Sequence, residues 1–237
     1  MKKFASPESR ARSSSSKGAG GAAGRPVRRR APGLPPEERR KQLLECAVRV
    51  FARQGIGAAG HADVAAEAGV AVPTVFSYFP NRQALVRSVV LEVDRFLSEM
   101  IESVVAEHRG ASNTLLAVIR LFADCVERYP DPLRLWLNWS TAVQSAVWPL
   151  YEAFQNRVIA TFEKIVRAGQ ASGELDPEID PAAAAYLVVA SGHMIVQMQF
   201  TKCDPGRVQR YLETVIHGAL NNAAVGEMDR ADLATEK

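Results

Sequence analysis

From Pro36 the apolar positions fall into helical rhythm: Leu43, Leu44, Ala47, Val48 and Phe51 share one face until Gly55 ends the run. A shorter pattern predicts a helix over about 61–68, with Val64, Ala65 and Ala68 on a small-residue face and Gly69 as its stop. Pro73 suits the first turn of a third helix, which Pro80 stops. That helix is expected to carry Val75, Phe76 and Phe79 inward and Thr74, Ser77 and Tyr78 toward a partner. Asn81 is placed to cap a long helix reaching about His108, with Leu85, Val89, Val93, Phe96, Met100 and Val104 as its buried stripe. Further helices are expected at about 112–129, 132–145, 149–172, 180–202 and 205–222, separated by Gly110, Pro130, Pro149, Gly173 with Pro177, and Pro205. No strand-like alternation bounded by hairpin turns occurs, so the predicted fold is all-α with about nine helices.

Two short helices around one glycine, ending on an aromatic cluster, read as a helix-turn-helix. A second helix of two turns, exposing small polar groups and one tyrosine, has the dimensions of a major-groove probe. Arg82 lies beside the next helix N-terminus, where backbone N–H groups favour a phosphate.

Charge supports that reading. The chain has 237 residues, 47% of them hydrophobic, and a net charge of only +3. Residues 1–60 nevertheless hold 14 Lys/Arg against 4 Asp/Glu, and the rest of the chain is net acidic. A basic DNA-binding module joined to an acidic effector module shows this asymmetry. Residues 1–33, rich in Ser, Gly, Ala, Pro and Arg, offer nothing to bury and predict a disordered basic arm. The expected division is therefore this arm, a helix-turn-helix domain at 34–82, a helical regulatory and dimerisation domain at 83–222, and a disordered tail at 223–237.

The run Lys41 to Gly55, followed by Gly60-His-Ala-Asp-Val and Thr74-Val-Phe-Ser-Tyr-Phe-Pro, resembles the DNA-binding domain of the TetR family of transcriptional regulators. Together with Trp136-Leu-Asn-Trp-Ser and Val147-Trp-Pro-Leu, it is similar to the quorum-sensing master regulators of the HapR/SmcR type. The resemblance implies a homodimer on a roughly palindromic double-stranded DNA operator. An ordinary ligand-released repressor of an efflux or catabolic gene is the alternative within the class. It implies Thr74, Tyr78 and Arg82 on phosphates, Ser77 nearest the bases, and Val72 or Pro73 against thymine methyls, with Asn81 beside them. His61, in the Gly-His-Ala-Asp motif, is a cap or packing residue, with a phosphate contact as the alternative, and Asp63 complements the helix dipole. Basic residues ahead of the first helix reach the minor groove in these regulators, a role that falls to Arg28, Arg29 and Arg30, several residues upstream of the aligned positions.

All three tryptophans lie within thirteen residues, in the cluster Trp136, Asn138, Trp139, Trp148, Tyr151, Phe154 and Gln155. Aromatic residues at helical spacing read as core, whereas apolar walls with interleaved amides read as a pocket for a small apolar ligand. The resemblance places a pocket here, with Gln155 aligned to a pocket asparagine. The small residues of 182–185, with Leu187, Val188, Ser191, Gly192 and Ile195, and the stripe Tyr211, Val215, Ile216 and Leu220 are expected to form a four-helix dimer interface, as in TetR-type proteins. Met194, Met198 and Phe200 are expected in core or interface.

Cys46, Cys125 and Cys203 are far apart and lack metal-ligand spacing, so they read as reduced core residues, with a thiol sensor at Cys125 or Cys203 as the alternative. The four histidines occur singly, without a His-Glu-x-x-His, phosphate-loop or nucleophile-elbow motif. Catalytic and metal residues are therefore none, and no cofactor is expected; a helical enzyme or ligand-binding protein without a DNA role is the alternative of a different class. No signal peptide and no membrane-spanning run is expected, which predicts a cytoplasmic protein.

Overall fold

Pro36 and the acidic Glu37 and Glu38 open the first helix, α1 (Pro36–Gln54), where a missing N–H costs nothing and negative charge meets the helix dipole. Gly55 ends it at φ 87°, a backbone state that favours glycine. α2 (His61–Ala68) closes on Gly69 at φ 65°, and α3 (Val72–Tyr78) follows after two residues with Pro73 in its first turn. α4 (Arg82–Glu107) begins where Asn81 Oδ1 accepts from the Ala84 N–H at 2.8 Å, the cap its sequence predicts. The structure is a computed structural model that describes residues 34–219, with side chains to Val215. The arm 1–33 with Arg28, Arg29 and Arg30, the tail 223–237, Leu220, and the side chains of Ile216 and His217 lie outside that description.

The remaining elements are α5 (Ala111–Arg128), α6 (Pro130–Ser140), α7 (Trp148–Ala171), α8 (Pro181–Phe200) and α9 (Pro205–Ala219), so the described residues are all-helical, as expected. Glu174, on the turn after α7, accepts from the N–H groups of Ala111 and Ser112 at 2.7 and 2.8 Å and so caps α5. Gly169 lies so close to Ala111 and Leu175 that a Cβ would collide with both.

α6 is shorter than its pattern suggests. It stops at Ser140, and residues 141–147 form turns that Trp139 draws inward by donating from Nε1 to the Val147 carbonyl at 3.1 Å. α8 also departs from expectation: it is long and apolar enough, by length and composition alone, to cross a membrane. It packs instead against α5, α7 and α9 as a bundle helix. Because it is apolar all round, its pattern does not say which face turns in. Ala184, Ala185, Val188, Ser191, Gly192 and Ile195, expected between subunits, are buried within the chain. Gly192 lets the Phe122 ring approach to where a Cβ would stand 3.3 Å away. The outward face carries Tyr186, Leu187 and Met194.

α1 joins the two halves mechanically: it packs on α2 and α4 and also on α6. A bidentate ion pair, Arg157 to Asp94 at 2.6 and 2.7 Å, ties α7 to α4.

Candidate nucleic-acid interface

Val75 and Phe79 are fully buried and fix α3 against α2, with the Arg40 guanidinium of α1 over the Phe79 ring. One turn of spacing then decides what remains outside. Val72, Pro73, Phe76 and Ser77 are exposed, and Thr74 and Tyr78 are half-buried at the flanks. Phe76, expected inside, is 46% exposed, because a helix of seven residues has room for one buried stripe and Val75 with Phe79 fill it. Its ring lies flat on the His61 imidazole, with centroids 3.9 Å apart and planes 4° apart.

His61 takes the packing role rather than that of a cap. It is 7% exposed, and its Nε2–H donates to the Phe79 carbonyl at 2.7 Å, the otherwise open C-terminal end of α3. The cap at the start of α2 belongs instead to Asp63, whose Oδ2 accepts from Gly60 N–H at 3.0 Å. His61 therefore locks α2 to α3 and holds the Phe76 ring; it is a buried packing residue rather than a free phosphate ligand.

Arg82 also has internal work. Its Nη2 donates to the carbonyls of Ile56 and Gly57 at 2.6 and 2.7 Å, and its Nε to Ala59 at 3.3 Å. The guanidinium thus pins the α1–α2 loop to the start of α4. Any phosphate must share it with those carbonyls. Glu67 performs the matching task on the other side of α2, accepting from Arg49 at 2.9 Å and Arg53 at 2.5 Å. Hydrogen bonds from the two guanidiniums hold its carboxyl below the usual carboxylate range. The Ser77 hydroxyl donates to the Thr74 carbonyl at 2.7 Å, which leaves only its lone pairs facing outward.

The aromatic cluster of α6 and α7 turns the other way. Trp136, Trp139, Tyr151 and Phe154 are buried, Trp148 is half-buried, and Asn138 is exposed. Of the expected cluster, Trp136, Tyr151, Phe154 and Gln155 line an internal cavity here, with Phe122 and Phe162 among its other walls. Its volume of about 20 Å³ accommodates about one water molecule. Trp139 and Trp148 pack elsewhere in the cluster, and Asn138 faces an open cleft of about 720 Å³ between the α1–α2 loop and residues 141–147. Trp136 Nε1 is buried without a hydrogen-bond partner. Sequence reasoning missed His193, whose ring lies on Trp136 at 3.8 Å and whose Nε2 accepts from the Tyr151 hydroxyl at 3.3 Å while Nδ1–H donates to Val189. Burial lowers the His193 pKa and raises Tyr151 to about 12. Burial likewise lifts Cys125 to about 11, which keeps it a thiol. Among the described residues no group of His, Cys, Asp and Glu is arranged to hold a metal ion.

Comparison with known proteins bears on both regions. The family model for bacterial regulatory proteins of the tetR family matches residues 43–89, which span α2, α3 and their supports. The HTH-type transcriptional regulator LuxR of Vibrio harveyi is 38% identical over 154 residues, covering 61% of this chain and 73% of that protein. The HTH-type transcriptional activator FasR of Mycolicibacterium smegmatis is 32% identical over 110 residues, covering 45% of this chain and 49% of that protein. Among solved structures, a regulator from Saccharomonospora viridis in complex with choline superposes with a TM-score of 0.69 at 21% identity, over 78% of this chain and 98% of that one. At that identity the superposition speaks for the fold alone.

Proposed function

Because the chain belongs to the TetR family of bacterial regulatory proteins, we propose that it acts as a homodimer that sets two copies of α3 into successive major grooves of a roughly palindromic operator. The family and the relatives are transcriptional regulators, not enzymes. The observation that carries the specific reading is the fixed exposure of α3: its inner face is buried, its C-terminal end is tied to His61, and Val72, Pro73, Phe76 and Ser77 face outward. Thr74 and Tyr78, one turn apart, share one flank of that face, from which they meet phosphates along one side of the groove. Arg82 and Asn81, at the start of α4, adjoin the same edge. Arg28, Arg29 and Arg30 supply the minor-groove contacts of the arm. The outward apolar face of α8, with Tyr186, Leu187 and Met194, supplies the dimer interface together with α9.

The 38% identity to the Vibrio harveyi regulator supports a place in quorum-sensing control, and a regulator of this kind works in the cytoplasm. A small apolar ligand enters at the cavity beside Trp136 and Gln155, where the unpartnered Trp136 Nε1–H awaits an acceptor. Since the cavity holds about one water, the ligand selects a wider form of the bundle and acts by its differential affinity for the two forms.

Selection of binding sites from random duplexes, followed by gel shift at two salt concentrations, tests the reading. A two-fold-related site whose affinity falls steeply with salt is expected. Recovery of no preferred sequence would contradict it. Tryptophan fluorescence during a screen of apolar compounds, with operator competition, tests the ligand.

A further inference from the structure

The outward face of α3 is unusual for a surface in its chemistry. Val72, Pro73 and Phe76 are apolar and exposed, and the only fully exposed hydroxyl of α3, Ser77, has its hydrogen committed to the Thr74 carbonyl, while Thr74 and Tyr78 are half-buried on one flank. The exposed residues of this face therefore offer apolar surface and an acceptor, and no free side-chain donor. In the major groove the apolar feature of base edges is the thymine C5-methyl, and the donors are adenine N6 and cytosine N4. One T·A pair presents both a methyl and an amino group.

We propose that Phe76 is a specificity-determining residue that reads thymine methyl groups, with Ser77 accepting from an adjacent base amino group, so that the operator half-site is built on A·T pairs opposite this face. The inference rests on the reading that α3 enters the major groove. What makes Phe76 suitable is its fixation. The ring lies flat on His61 at 3.9 Å, and His61 is itself held by the Phe79 carbonyl at 2.7 Å, so the aromatic plate is presented in one position without ordering cost on binding. The strong positive balance of residues 1–60 provides the complementary attraction to phosphate but carries no sequence information, which leaves discrimination to this face.

The test uses the full chain and the duplex obtained by selection. Each thymine is replaced singly by deoxyuridine, which removes one methyl and leaves base pairing intact. Wild type is expected to lose about fourfold in affinity at one or two positions per half-site, the effect of burying one methyl group. In Phe76→Ala those positions become insensitive, while the affinity for an unrelated duplex stays within about twofold, as phosphate contacts do not depend on the ring. Phe76→Leu, which keeps an apolar side chain, retains part of the sensitivity and serves if the alanine variant fails to fold by circular dichroism. The proposal is overturned if no deoxyuridine replacement affects wild type, or if either Phe76 variant keeps the full wild-type pattern. A wild type that binds the selected duplex with steep salt dependence yet ignores every methyl removes only the role of Phe76. A wild type that binds no duplex overturns that role and the groove reading together.

Discussion

Two aromatic clusters of similar make-up end on opposite sides of the protein surface. In α6 and α7, Trp136, Trp139, Tyr151 and Phe154 converge inward and leave a void of about one water. At α3, Phe79 is buried but Phe76, three residues earlier, stays outside on a histidine plate. The difference lies in helix length and in neighbours. α7 is 24 residues long and meets α4, α5, α6 and α8, so partners surround its rings. α3 has seven residues, enough for one inward stripe and one outward face. Burial in the first cluster contributes stability, and exposure in the second leaves the ring open for the recognition role proposed for it.

The sharpest contrast is between the two rings themselves. Trp139→Ala removes a fully buried indole and its hydrogen bond to Val147, and should cost about 3–5 kcal/mol in urea unfolding. Phe76→Ala, losing chiefly its stack on His61, should cost about 1 kcal/mol. Equal losses would break the comparison. Trp139 is thus a poor probe of ligand release, whereas Gln155→Ala, at the cavity wall, should change ligand response with little effect on folding.

Glu67 comes next, since it holds α2 to α1 without reaching the outer face of α3. Glu67→Gln should lower stability by about 1–2 kcal/mol, because the amide keeps one acceptor oxygen for two guanidiniums and turns a donor toward the other. Its carboxyl titrates below the ordinary carboxylate range in the fold, so its contribution is present above the unfolded value and lost as pH falls through the folded one. Thermal melts from neutral pH to below 4 should show wild type converging on the variant at the acid end.

A smaller effect is expected at the flank of α3. Tyr78→Phe removes only a hydroxyl, so binding should weaken by about 1 kcal/mol on every duplex alike while the melting temperature holds. Ser77→Asn, which brings a bidentate amide, should instead change which sequence is preferred.

The mildest is a pH effect on the inner cluster. Burial keeps His193 neutral in the fold, so stability should decline as pH drops below about 6.5, where the unfolded chain takes up the proton first. His193→Gln should flatten that slope in melts between pH 7.5 and 5.5.

Much of the helix-turn-helix was legible because its punctuation is chemical: Gly69 supplies a positive φ, Pro73 opens α3, and Asn81 caps α4. The end of α6 was not, since no breaker stands before 141 and the stop depends on Trp139 reaching the Val147 carbonyl. The inner face of α8 was hidden by its all-round apolarity, and only packing against Phe122 reveals it. The partners of His61 and Arg82 were hidden as well. His61 is buried against the Phe79 carbonyl, and Arg82, though exposed, is held by carbonyls of the α1–α2 loop, demands that side-chain patterns do not record.

The central claim, that α3 of a dimer docks into the major groove, is tested most directly by titrating the selected duplex with full-length protein between 50 and 200 mM salt. For six or more phosphate contacts per dimer, affinity should fall by about 10³ or more, with a duplex carrying a single half-site bound far more weakly throughout. An affinity that does not change with salt, or equal binding of one and two half-sites, would contradict the account.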